Sequence, residues 1–559
     1  MGSMTQKRTP SAIDAVAEDY VDRSLALSPS LALYLGLDGA KGFDDYSPAG
    51  LAAINELTVD TLEKLAEAEK TAELDDIDRV TVDAMRDRLG VDRDYFEAGI
   101  KHASLNVIAS PLQDIRDAFD LMPTETTEHW ESIDTTLAAV PNSVSGYRES
   151  LSLAKERGRV SARIQVEKVI EQARALAEAG SNFDTLIAGA AEVPASLRDQ
   201  LGGHAEAARA SFAELADFLA SELLPAAPEN EACGREAYAL YSRDFLGAEV
   251  DFDETYAWGL EELARIDAQQ RQVAEKIAPG KDLFEVMALL NKDPERTLHG
   301  SEALRDWMQT VADEAITELG KSHFDIPEPV RTIECMIAPS ATGGIYYTGP
   351  TDDFSRPGRM WWSVPEGVTE FATWQEKTTV YHEGVPGHHL QVGQATYVSD
   401  TLNRWRRLMC WVSGHGEGWA LYAEKLMADL GFMDEPGDYL GMLDSQRLRA
   451  ARVVLDIGFH LGLEAPASLG GGIWNREKAW QFLTDNVAMD RSFLAFELDR
   501  YLGWPGQAPS YKIGQRLWEQ FRDEAKAEAG ADFDLKAFHT KALNLGSVGL
   551  DTLGRAIRR

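Results

Sequence analysis

Apolar residues recur at three- and four-residue spacing, with Glu, Asp, Arg and Lys between them, over 11–35, 48–72, 76–102, 127–157, 160–179 and 194–223. That period places the apolar side chains on one face of a helix, so each stretch predicts an amphipathic helix. Pro225-Ala226-Ala227-Pro228 interrupts the pattern. Two prolines so close cannot continue a helix, and they mark the expected boundary between an N-terminal helical lobe (4–228) and a second lobe (229–559). The lobe is started at Met4 because Met1-Gly2-Ser3 reads as a cloning remnant. Helical spacing resumes over 253–276, 282–290 and 301–319.

Between Val330 and Thr369 the period changes. Short runs rich in β-branched and aromatic residues, Glu334–Ile337, Gly344–Gly349 and Arg359–Val364, are separated by Pro and Gly. They predict a small antiparallel sheet, followed by a helix from Thr369 that carries His382. An edge strand placed just before that helix could hold an extended peptide by main-chain hydrogen bonds. The expected fold is therefore mostly α, with two helical lobes flanking a deep cleft and a small antiparallel sheet near His382.

The 559 residues show no internal repeat, and 44% of them are hydrophobic, as in an ordinary globular protein. A net charge of −37 repels phosphate backbones and argues against nucleic acid as a partner. Cys233, Cys335 and Cys410 are too few and too dispersed for a disulfide framework or a cysteine-type zinc site. No run approaches the roughly 18 apolar residues of a membrane helix, and no leader pattern precedes the first helix. A cytoplasmic protein without a membrane partner is the expectation.

Chemistry concentrates in Tyr381-His382-Glu383-Gly384-Val385-Pro386-Gly387-His388-His389-Leu390-Gln391 and in Gly416-Glu417-Gly418-Trp419-Ala420-Leu421-Tyr422-Ala423-Glu424. Imidazoles beside a Glu, with a later helical carboxylate, are the donor types of a catalytic zinc site, three ligands and a general base. Glu383, adjacent to the ligand His382, is placed to take a proton from an attacking water. The usual spacing is His-Glu-x-x-His, yet Pro386 stands where the second His belongs. On a helix turning about 100° per residue, His389 falls about 20° from the His382 face and His388 about 120° away. Periodicity alone favours His389, whereas a two-residue bulge at Val385-Pro386 would restore His388. Glu424 shares the face of Glu417 and could orient a ligand histidine, or belong to a solvent-exposed stripe. Asp456 and His460, four residues apart on an apolar helix, form either a buried structural hydrogen bond or an oriented histidine that stabilises an oxyanion. Arg500 and Lys512 could grip a substrate carboxylate, and Tyr346 and Tyr347 could line the cleft.

These motifs, with Asp456–His460 and the run from Arg500 to Lys512, resemble the bacterial family known as domain of unknown function 885, and through it the gluzincin metallopeptidases: thermostable carboxypeptidases, angiotensin-converting enzyme and oligopeptidases. The resemblance implies that His388, which directly follows a Gly as in His-Glu-x-Gly-His, is the second ligand, that Glu417 is the third, and that Tyr511 donates to the tetrahedral intermediate. The implied function is Zn2+-dependent hydrolysis of an amide bond in a small peptide, by a carboxypeptidase or oligopeptidase. The alternatives are a metallohydrolase of a non-peptide or isopeptide amide, and a non-catalytic peptide-binding member.

Overall fold

The computed structural model describes residues 8–37, 42–338 and 344–559; the Met1–Met4 junction lies outside them. Helices make up 68% of the protein, as the dominant spacing predicts. The site depends on helices α1 (Thr127–Glu156), α2 (Arg163–Ala177), α3 (Ala195–Phe218), α4 (Phe252–Ile277) and α5 (Ser301–Ser322) for its frame. Strands β1 (Thr297–His299), β2 (Ile333–Ile337), β3 (Ile345–Thr348), β4 (Gly358–Trp362) and β5 (Glu370–Ala372) follow. The site itself is carried by α6 (Thr373–Glu383), α7 (His388–Tyr397), α8 (Ser413–Asp429), α9 (Pro436–His460), α10 (Arg491–Gly503) and α11 (Ser510–Ala529). No helix among the described residues is long and apolar enough to cross a membrane, and all three cysteines are free.

Two large hydrophobic cores form. One gathers Phe43 with buried residues of α1, α2 and α3 and ends at Ala227, beside the Pro225–Pro228 break. The other contains α4 to α11, and it also takes in buried residues from Ile13 to Val21 and from Leu57 to Leu89 near the start of the chain. Apolar spacing shows which face of a helix is buried but not against which partner, so the first helices could not be assigned to the second core from sequence.

The sheet differs from expectation. β1 pairs with β5 antiparallel, but the three-stranded sheet is mixed: β4 is central, parallel to β2 and antiparallel to β3. Alternation makes Gly358, Met360 and Trp362 bury one face of β4. It is silent on pairing direction, because either neighbour satisfies the same pleat. β3 is left at the edge.

Helices α8 and α11 pack at backbone distance in the site. A Cβ on Gly418 would lie 2.5 Å from the carbonyl carbon of Gly514, and one on Gly514 would collide with the carbonyl oxygen of Gly414. Backbone contacts this close leave no flexible atom to yield. Gly514→Ala should therefore destabilise the protein by about 1–3 kcal/mol or more, read as a lower urea midpoint; an unchanged midpoint would show that the two helices can part without cost.

Candidate functional site

His382 and Glu383 end α6, and His388 begins α7. The expected bulge within one helix is instead a full break. Gly384-Val385-Pro386-Gly387 forms a tight turn with a cis Val385–Pro386 bond, and Gly387 N–H closes it on Tyr381 O at 3.1 Å. Proline has no N–H to donate and disfavours helical geometry in the residue before it, so α6 cannot run on. A Cβ on Gly387 would strike His382 O, so this position takes only glycine. Trp419 on α8 pins the turn by donating Nε1–H to Pro386 O at 2.9 Å.

The break brings the two imidazoles together. The rings of His382 and His388 lie 4.9 Å apart at 90°, and each of His382, Glu383 and His388 brings a ligand atom within 4.8 Å of the others. Glu417 Oε2 lies 3.2 Å from His382 Nε2 and 3.4 Å from His388 Nε2. The far nitrogen of His382, Nδ1, meets Glu424 Oε1 at 2.7 Å, and Glu424 Oε2 in turn accepts from Thr378 and Ser445. Glu424 is buried rather than part of an exposed stripe. His388 Nδ1 is enclosed without a partner among the described residues, so this ring is held by its contact with Glu417 and by packing on His382 and Trp411.

His389 turns away. Its Nε2 meets Val330 O at 2.8 Å and its Nδ1 meets the Tyr347 hydroxyl at 2.9 Å, which ties α7 to the sheet. Burial lowers its pKa to about 4. It stays neutral and donates from Nε2, so the Tyr347 O–H points at Nδ1.

Charge in this site is concentrated and enclosed. Burial opposes a charge on His382, but hydrogen bonds with Glu417 and Glu424 override it and hold the ring at about 10. Burial likewise opposes ionisation of Glu417, and the attraction of His388 and His382 holds it well below the usual carboxylate range. Glu383 is different: burial raises its pKa, and the neighbouring imidazoles only partly offset this. Two carboxylates of unlike proton affinity thus face the same pair of histidines.

The cluster opens on a cavity of about 470 Å³, lined also by β3, Trp411, Arg449, Arg452 and Tyr511. This falls within the roughly 300–1,000 Å³ of small-molecule sites. The Tyr511 phenol stands near both guanidinium groups, with Arg452 5.2 Å and Arg449 6.0 Å from the ring centre. Burial raises its pKa and the charge of Glu417 adds to the effect, so the hydroxyl keeps its proton.

His460 is not part of this cavity. Its ring is 0% exposed, with Nε2 against Tyr501 O at 3.1 Å and Nδ1 accepting from Cys233 N–H. Asp456 does not orient it; Asp456 Oδ1 accepts from Tyr238 and from Gly506 N–H. The four-residue spacing was sound, but these groups face the packing between α9, α10 and the 233–238 segment. Arg500 and Lys512 are also engaged elsewhere, Arg500 with Glu497 and Gln507, Lys512 with Glu262, Gln446 and Gln515. The cations that do reach the cavity, Arg449 and Arg452, were missed. Their signal was present: arginines three residues apart in a helix otherwise rich in Ala, Val and Leu require a polar partner or a cavity.

A family profile described as bacterial protein of unknown function (DUF885) matches residues 29–557. The chain belongs to DUF885. Among solved structures it is similar to a candidate lipoprotein from Colwellia psychrerythraea, with a TM-score of 0.82 at 21% identity over 98% of both chains. A candidate lipoprotein of unknown function from Shewanella oneidensis gives a TM-score of 0.75 at 18% identity, over 98% of this chain and 100% of that one. Both likenesses are of fold. No curated protein matches the chain.

In this DUF885 protein burial lifts the Asp456 carboxyl from 3.8 to about 7. A folded-state pKa above the unfolded one means that ionisation favours the unfolded chain. This contribution to stability is whole below about pH 4 and is lost as the pH rises through about 7, by at most about 4 kcal/mol. Asp456→Asn, which keeps an acceptor for Tyr238 and Gly506, should flatten that decline in denaturant midpoints measured from pH 4 to 8. An unaltered slope would refute the assignment.

Proposed function

We propose that this protein is a zinc-dependent hydrolase of amide bonds in short peptides, with a gluzincin-like site. The observation that carries the reading is the convergence of Glu417 Oε2 on the Nε2 atoms of both His382 and His388, with Glu383 beside them, at one cavity.

The donor set fits the metal. Two imidazole nitrogens and a carboxylate oxygen are the His2Glu combination of catalytic zinc, and the low proton affinity of Glu417 keeps it anionic and ready to ligate. Glu424 supplies the outer contact that such a histidine needs, holding His382 Nδ1 and leaving Nε2 for the metal. A zinc ion held by His382, His388 and Glu417 would supply Lewis-acid polarisation of the scissile carbonyl.

The chain's own residues account for the remainder. Glu383 accepts the proton of the attacking water and delivers it to the leaving amine; its raised proton affinity suits a group that must do both. Tyr511, still protonated, donates to the carbonyl oxygen as negative charge gathers there. Ile345, Tyr346 and Tyr347 of the edge strand β3 line the same cavity, where an extended peptide can pair with the strand. A cavity of about 470 Å³ restricts the occupant to a few residues. His460 has no part in this mechanism.

Elemental analysis should find one zinc per chain, and a panel of short peptides should be cleaved. Glu383→Gln should keep the metal and lose about 10²- to 10⁴-fold in kcat. A wild type that holds no stoichiometric metal and cuts no peptide would end the proposal, and cleavage of acyl amino acids alone would move it to non-peptide amides.

A further inference from the structure

Two guanidinium groups line the cavity, and they differ in one respect. Arg452 is committed: it donates to Glu497 at 2.9 Å and to the Tyr501 hydroxyl at 2.7 Å. Arg449, one helical turn earlier on α9, donates from Nη1 to Ser445 Oγ at 2.9 Å and to Ser445 O at 3.4 Å. No carboxylate among the described residues forms an ion pair with it, and its Nε is enclosed without a partner. A guanidinium presents five N–H donors in a planar fork, and most of those of Arg449 are unspent.

What sets Arg449 apart is its place at the cavity without a carboxylate partner among the described residues. Acidic residues outnumber basic ones by 92 to 55 in this chain, and Arg447, two residues earlier, is paired with Asp267 at 2.8 Å. Arg449 and Arg452 both flank Tyr511 at the cavity, and Arg449 also acts on Glu424 across Ser445, to which each is hydrogen-bonded at 2.9 Å. An anionic group entering on the Tyr511 side meets these two cations. The planar fork matches a carboxylate, which it can hold by two parallel hydrogen bonds.

We propose that Arg449 anchors a carboxylate of the substrate, so that the class of substrate is a short peptide presenting a free carboxylate to the α9 wall. This rests on the reading of the site as a peptidase. The carboxylate can come from the C-terminus or from an acidic side chain. The competing role is structural: Arg449 holds Ser445, whose hydroxyl donates to Glu424 at 2.9 Å, and Glu424 holds His382. That role would affect every substrate alike.

The test is calorimetric binding of tri- to pentapeptides to the zinc-loaded Glu383→Gln protein. Each peptide is made as the free acid, as the C-terminal amide, and as an amide ending in Glu, alongside turnover by the wild type. Free acids should bind about 10- to 100-fold tighter than amides. Adding Arg449→Gln should abolish that difference while leaving amide affinity and zinc content unchanged, and Arg449→Lys should retain part of it. If the Glu-ending amide binds like the acid, a side-chain carboxylate suffices; if it binds like the plain amide, the C-terminus is required, and both results support the anchor. Equal weakening of acids and amides, loss of zinc in Arg449→Gln, or no preference for acids in the parent protein overturns it, as does failure of every acid to bind. Should Arg449→Gln not fold, the reduced acid preference of Arg449→Lys decides. Acid-selective binding without turnover sustains the anchor and sinks the hydrolase reading, whereas turnover indifferent to the carboxylate does the reverse.

Discussion

Helix α8 is the member on which the site depends, because it is clamped on both sides. On one side Trp419 donates to the turn that separates α6 from α7. On the other, Gly418 meets Gly514 of α11 closely enough to exclude any side chain. From the same helix Glu417 reaches both imidazoles and Glu424 grips the back of His382. One rigid element therefore sets the turn, the carboxylate and the orientation of His382, and its contact with α11 places Tyr511 across the cavity. A side chain built on a helix and locked by its neighbours holds position better than one on a loop.

Such an arrangement is costly in the absence of function. Enclosing Glu383, Glu417 and Glu424 within reach of two histidines removes several ionisable groups from water, and each must be satisfied by a partner. The satisfaction is uneven. Glu424 is fully engaged by His382, Thr378 and Ser445, whereas among the described residues His388 Nδ1, the Arg449 Nε and Asp456 Oδ2 have no partner. Groups that serve structure, such as Asp456 and His460, are completely enclosed and turned into the packing. Strongly shifted proton affinity thus occurs in both kinds of place, and only access to the cavity separates them.

Much of the fold was legible because helical spacing is a local property. The first strongly periodic stretches became helices, and the strand positions from Ile333 to Trp362 lay within a residue or two of expectation. The pairing of those strands and the membership of the two cores were not, since both depend on which distant surface arrives. In the site, His382, Glu383, His388, Glu417 and Tyr511 meet at one cavity. His460 and Lys512 are on neighbouring elements but face away. A sequence shows that a polar residue sits on an apolar helix, and not whether its partner is a substrate or another helix.

The sequence by itself determined that this protein is mostly helical, that a His-Glu pair is followed by Pro-Gly and two further histidines, and that a Glu-bearing helix comes next. Those are consequences of local spacing and of the backbone chemistry of proline and glycine. Only the tertiary structure shows which of His388 and His389 faces Glu417. Breaking α6 at Pro386 resets the rotation of α7, which turns His388 toward Glu417 and leaves His389 to tie β3 and Val330 together. Helical arithmetic holds along one helix, and its phase is lost at a break; long-range contacts, here the hold of Trp419 on the turn, set it anew.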